Sequence, residues 1–144
     1  MAPPEEILDS PTGWVNRHIR RYVESDGRSG HRWHGAQTLL LTTRGRRSGK
    51  LRRTALLYRQ DGDRYLLVAS NGGARRHPDW YRNLTADPEV QVQVGAEKFT
   101  AKARTAGPAE KRRLWRLMAE MWPDYDRYQQ RTSREIPVVI LERS

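Results

Sequence analysis

Apolar positions between residues 14 and 23 recur at helical spacing. Trp14, Val15, Ile19, Tyr22 and Val23 fall on one face, and Asn16, Arg17, Arg20 and Arg21 on the other. Ser10-Pro11 supplies a helix start, Ser as N-cap and Pro in the first turn, and Asp26-Gly27 supplies an end. The period then shortens. Residues 38–43, 54–59 ("TALLYR") and 64–70 ("RYLLVAS") read as strands, the last two joined by a turn at Asp61-Gly62-Asp63. "EVQVQV" (89–94) alternates strictly, Gly95-Ala96 turns the chain into 98–105, and 135–143 makes the last strand. Two further helices are predicted over 77–88 and 107–122, with Pro78 and Pro108 at their starts. The second carries Leu114, Trp115, Leu117, Met118 and Met121 as a buried stripe. Residues 123–134 read as a connection. Six strands, mostly hairpin-linked, plus an N-terminal helix and two more, predict a mainly β, α+β domain: a small antiparallel barrel. Residues 1–10 are expected to form a flexible arm and 11–144 a single domain.

A length of 144 residues allows one real core and not two. Hydrophobic residues make up 36% and charged residues 31%, a poor balance that five Trp and six Tyr partly repair by the large area each buries. The formal charge of +10 speaks of partners: nucleic acid, an anionic membrane surface or a polyanionic small molecule. There are no cysteines, which excludes disulfides and thiolate chemistry. No apolar run reaches the roughly 18–20 residues of a membrane span, and the N-terminus lacks a secretory pattern, so a cytoplasmic protein is expected. The basic face of the first helix gives a membrane-surface role as the alternative. His31 and His34 are three apart with no third ligand nearby, so no metal site is expected.

The candidate chemistry lies in two bends. "LTTRGRRSGKLRRT" (41–54) places six cationic side chains on a tight turn after an apolar strand. Gly45 and Gly49 permit the turn; Arg46, Arg47 and Ser48 between them bring guanidinium forks and a hydroxyl to bear on one phosphate. Arg52 and Arg53 open the next strand, and alternation lets only one of them face the same ligand. This is no Walker loop, because the Gly-Lys-Ser/Thr order is missing and a strand follows. The second bend, "VASNGGARRHPDWYRNL" (68–84), joins a strand end, Ser70-Asn71, Gly72-Gly73, two arginines and a helix start. A flat ring could lie there close to the backbone. Of Trp80 and Tyr81, one is expected to face the core and the other the ligand. His77 is expected to cap that helix.

"TTRGRRSGKLRRTALLY", "VASNGGARRHPDWYRNLTADPEVQVQVG" and "YDRYQQRTSREIPVVIL" resemble, in order, the signature blocks of the deazaflavin-dependent nitroreductase family of actinobacteria. The resemblance runs from about Thr38 to Leu141. It implies a six-stranded antiparallel split β-barrel of the FMN-binding, pyridoxamine-phosphate-oxidase-like kind, and coenzyme F420 (8-hydroxy-5-deazaflavin) as cofactor. That coenzyme joins a flat ring to a phosphate and a glutamate tail, which suits the charge. By the same resemblance Arg46, Arg47 and Ser48 hold the phosphate, with Arg52 assisting and Gly49 in the turn. Ala69, Ser70, Asn71, Gly72, Trp80 and Asn83 line the coenzyme. Asn71 stands where the family often has Lys, leaving Arg75 or Arg76 as substitutes, and Leu51 stands where it usually has Pro, which is expected to loosen the turn. Tyr125 and Tyr128 are the candidate proton donors. Trp122 with Tyr125 would form the wall for an acceptor: a quinone, an enone or a nitroaromatic. Two rival readings use the same features. One is a nucleic-acid-binding barrel with the aromatics as stacking platforms, which their location in helices and loops disfavours. The other is an FMN-binding member of the same fold.

Overall fold

The computed structural model describes residues 5–144. Among them are nine strands and four helices. In chain order they are β1 (Ile7–Asp9), α1 (Gly13–Ser25), β2 (Arg32–Trp33), β3 (Ala36–Arg44), β4 (Leu51–Leu57), β5 (Arg59–Asp61) and β6 (Arg64–Val68). Then follow α2 (Asp79–Ala86), β7 (Glu89–Val94), β8 (Glu97–Thr105), α3 (Pro108–Met121), α4 (Asp124–Gln130) and β9 (Val138–Arg143). The sheet runs β1-β4-β3-β7-β8-β9-β6-β5, with β2 paired to β3; every pairing is antiparallel except the parallel β1–β4. Its hydrogen-bonded path is open. The expected barrel of six strands is therefore corrected to a nine-stranded open sheet, and the three expected helices to four.

The alternation explains the packing. Leu39 and Leu41 of β3, Tyr65 and Leu67 of β6, and Val139 and Leu141 of β9 meet in one core with Val90 and Val92 of β7. Their neighbours Leu66, Val68, Val138 and Ile140 point to the opposite face, where Leu114 and Met118 of α3 and Tyr125 of α4 cover them. Leu40 packs under Ile19 and Tyr22 of α1. Strands covered on both faces read as unbroken apolar runs, as residues 138–141 do. The run expected as one strand over 54–59 breaks at Tyr58. This buried residue still donates its N–H to the Gln37 carbonyl (3.0 Å) before the chain enters β5, at the far end of the sheet path.

Three local expectations fail for tertiary reasons. Residues 7–9 of the supposed arm form β1 against β4, and residues 1–4 lie outside the described residues. Ser10 does not cap α1: its N–H extends the strand to the Arg53 carbonyl (2.9 Å), and the cap falls at Thr12. Trp14 is not core but 53% exposed, stacked on Trp33 with ring centroids 4.9 Å apart. The helix does end as expected, with Asp26 (φ 52°) and Gly27 (φ 83°) in the left-handed region.

Candidate active site

The β3–β4 hairpin carries the basic turn. Gly45 donates its N–H to the Lys50 carbonyl (2.7 Å) and accepts from Gly49 (2.8 Å), so the bend is closed twice. A Cβ at Gly45 would lie 2.7 Å from the Ser48 hydroxyl and 3.1 Å from the Lys50 carbonyl, so a larger residue would displace Ser48 from the turn. Arg46 is bolted to α2: its backbone N–H and Nη1 donate to Asn83 Oδ1 (3.2 and 2.9 Å) and its Nη2 to Asp79 Oδ1 (3.2 Å). Asn83 Nδ2 in turn donates to Thr43 Oγ1 (3.2 Å). Arg53 is held bidentate by Asp9 (2.6 and 3.1 Å). Arg47 and Arg52 are different: neither side chain has a hydrogen bond or ion pair among the described residues. Leu51, at the usual proline position, is buried and paired with both Arg44 and Ile7.

Around this turn opens a cleft of about 470 Å³, lined by Arg46, Arg47, Ser48, Arg52, Trp80 and Asn83, among others. Trp80 lines this cleft and also packs against the core cluster of the sheet. Tyr81 packs on the same cluster, lines neither cleft and shares a hydrogen bond with Thr105 Oγ1 (2.8 Å), so core packing does not separate the two rings. A second cleft, of about 240 Å³, is lined by Ser70, Gly72, Trp122, Tyr125 and Tyr128. Strand β4 walls both: Arg52, Arg53 and Thr54 face the first cleft, and Ala55, Leu56 and Leu57 the second. Gly49, Ala69 and Asn71, expected at the cofactor, line neither. Ala69 is fully buried, with its N–H given to the Pro137 carbonyl (3.0 Å) and its own carbonyl taken by Arg134. Asn71 is exposed at φ 46°, a conformation asparagine tolerates better than lysine does, and its Nδ2 donates to the Arg76 carbonyl (3.1 Å).

Tyr125 is buried in the floor of the second cleft, and its hydroxyl has no hydrogen-bond partner among the described residues. Burial first, and the neighbouring Tyr128 second, push its pKa above the ordinary phenol value. The phenol therefore keeps its proton and can donate a hydrogen bond. Gly73 makes room for α4, since a Cβ there would sit 2.6 Å from the Tyr128 carbonyl.

Eight residues of this cleft were not foreseen at the site: Trp14, His18, Trp33 and Thr38, and the strand residues Ala55, Leu56, Leu57 and Val68. His18 Nε2 lies 3.4 Å from Thr38 Oγ1, and burial lowers its pKa. Arg134 was missed as well. From outside the cleft its Nε donates to the Ala74 carbonyl (2.8 Å), Nη1 to the Ala69 carbonyl (3.2 Å) and Nη2 to the Ser70 carbonyl (2.6 Å). Nη1 also meets His77 Nδ1 (3.1 Å), so His77 is a strut for Arg134 and not a helix cap; Pro78 occupies the cap position. The only sequence signal was an arginine inside the block ending "SREIPVVIL".

A profile of the F420H(2)-dependent quinone reductases matches residues 14–143. The chain belongs to this family. An F420H(2)-dependent quinone reductase of Mycobacterium tuberculosis is 43% identical over 143 residues, covering 90% of this chain and 96% of its own. The solved F420-H2 dependent reductase FDR-A is 40% identical over 73% of this chain and 93% of its own, with a TM-score of 0.68. A pyridoxamine 5'-phosphate oxidase-like protein of Listeria innocua, 14% identical with a TM-score of 0.54, shares the fold alone. The α+β fold is thus of the pyridoxamine-phosphate-oxidase kind. The residues present would suit a flat ring with an anionic handle: two guanidinium groups with no partner among the described residues stand at one end of the β4 wall, and a largely apolar slot with a phenol likewise unpartnered at the other.

Proposed function

We propose that this protein reduces quinone-type acceptors with reduced coenzyme F420. The observation that carries the reading is the pairing of two clefts along one strand, cations unpaired in the first and a phenol unpaired in the second. When bound, the coenzyme supplies a hydride to an electron-poor carbon. Arg47 and Arg52, with the Ser48 hydroxyl, bind its phosphate by charge-assisted contacts. Arg46 and Asn83 keep that turn in register with α2. Ala55, Leu56 and Leu57 of β4, with Trp122 and Tyr128, exclude water from the slot in which ring and acceptor meet. Tyr125 donates a hydrogen bond to the acceptor oxygen that gains charge and holds a proton there for the hydroquinone product. Enones and nitroaromatics offer a comparable electron-poor site and are further acceptors under this reading.

The FMN and nucleic-acid readings lose support from family membership. No described helix is long and apolar enough to cross a membrane. A cytoplasmic location, with the Arg17, Arg20 and Arg21 face of α1 available to an anionic bilayer, is part of the proposal. The test is direct. Purified protein should quench F420 fluorescence on titration and oxidise reduced F420 when a quinone is added. Failure of both at protein concentrations well above micromolar would refute it.

A further inference from the structure

The bend after β6 has a geometry that its sequence conceals. Ser70 is right-handed (φ −75°, ψ −37°), while Asn71 (φ 46°) and Gly72 (φ 63°, ψ 18°) are left-handed. A right-handed residue followed by a left-handed one turns consecutive N–H groups into the same concavity, which suits an anionic oxygen. Here the N–H groups of Ser70, Asn71 and Gly72 have no partner among the described residues. The next two, on Gly73 and Ala74, are already given to the carbonyls of Ser70 (2.8 Å) and Asn71 (3.1 Å). Ser70 and Gly72 line the second cleft, beside Tyr125.

Arg134 accounts for the direction of these donors. In a planar trans peptide the carbonyl and the following N–H point opposite ways. Arg134 grips the Ala69 carbonyl, which aims the Ser70 N–H away from it, and the Ser70 carbonyl, which aims the Asn71 N–H likewise. A third bond to the Ala74 carbonyl closes the loop behind them. The positive charge on these carbonyls also polarises the peptides and strengthens their N–H donors. Resting on the F420-dependent reading above, we infer that Arg134 is a positioning residue that turns the N–H groups of Ser70 and Asn71, beside that of the left-handed Gly72, into a hole for a charged carbonyl oxygen, belonging either to the coenzyme ring or to the quinone.

The experiment uses the full chain, ¹⁵N-labelled, with oxidised F420 and then menadione as probes, beside Arg134→Lys. A lysine keeps the charge but offers one point where the guanidinium offers a fork. In the wild type the three amide protons should move downfield. Movement on adding F420 assigns the ring oxygen, and movement only on adding menadione to the loaded protein assigns the acceptor. In Arg134→Lys the movement should vanish. F420 affinity should then fall about tenfold in the first case. In the second, kcat should fall tenfold or more at unchanged menadione KM, with the melting temperature near that of the wild type. Should Arg134→Lys not fold, Arg134→Gln, whose amide keeps two N–H donors without the charge, takes its place with the same readouts. Amides that stay still in a wild type that binds F420 and turns over, or wild-type kinetics in Arg134→Lys, overturn this inference and leave the reductase reading intact. A wild type that neither binds F420 nor reduces menadione overturns both.

Discussion

Replacing Arg47 and Arg52 together by alanine removes the two guanidinium groups that stand unpaired at the first cleft, while leaving the bolt from Arg46 to Asn83 in place. Each charge-assisted contact to a phosphate contributes about 1.5–3 kcal/mol. Both side chains are exposed in the ligand-free turn, so the lower half of that range applies, and solvent screening trims it further. A combined loss of roughly 2–4 kcal/mol corresponds to F420 affinity weaker by about 30-fold to several hundred-fold. Fluorescence titration reads it, and repeating the titration at higher salt should shrink the difference between wild type and variant. Arg46→Ala is the control. It takes from the buried Asn83 Oδ1 its side-chain donor and leaves the backbone N–H of residue 46, a cost of about 1–3 kcal/mol in stability, or a fall in Tm of about 4–12 °C. Because that backbone donor remains, the lower end is expected. If the double variant binds F420 as well as the wild type, or Arg46→Ala loses affinity equally at unchanged Tm, the division of labour within the turn is wrong.

Tyr125→Phe should lower kcat about 10–100-fold with F420 affinity nearly unchanged, because the hydroxyl acts on the acceptor; equal losses in titration and turnover would assign it to binding. Gly73→Ala should cost at least about 1–2 kcal/mol from its φ of 82° alone, and more from the 2.6 Å approach to the Tyr128 carbonyl. Thermal melts and turnover should therefore fall together, since α4 carries Tyr125. The ion pairs of Asp61 with Arg113 and Arg64 hold that carboxyl at about 2, and Arg104 with the Gly107 N–H holds Glu110 at about 2. Both are depressed, so their stabilisation is complete above the ordinary carboxylate range near pH 4 and is lost as pH falls toward 2. Melts between pH 5 and pH 2 should show Tm dropping over that window, and Asp61→Asn should flatten the drop.

How far the sequence could be read depends on whether the deciding force was local. The six long strands and α3 were legible because each buries a periodic face: 89–94 alternates, and Leu114 and Met118 sit one helical turn apart. The strands at 7–9, 32–33 and 59–61 were not, since two or three residues carry no period and form only because a longer neighbour offers an edge. Helix α4 was missed because its seven residues present only Tyr125 and Tyr128 to the core, within an otherwise polar run. In the site, the two bends announced themselves through glycines and charge. What stayed hidden was which arginines are already engaged. Arg46, Arg53 and Arg134 look like Arg47 and Arg52 in one dimension, yet the first three are bound by Asn83, by Asp9 and by the carbonyls of the second bend, up to 65 residues away. Three arginines are therefore engaged in holding the clefts' walls, and two line the first cleft with no partner among the described residues. A charge count of +10 says nothing of that division, because it is set by carbonyls and carboxylates that only the fold brings near. The same division predicts where substitutions are tolerated: exchanging Arg47 or Arg52 for lysine should weaken binding modestly, whereas the same exchange at a gripping arginine breaks a fork that one ammonium group cannot replace.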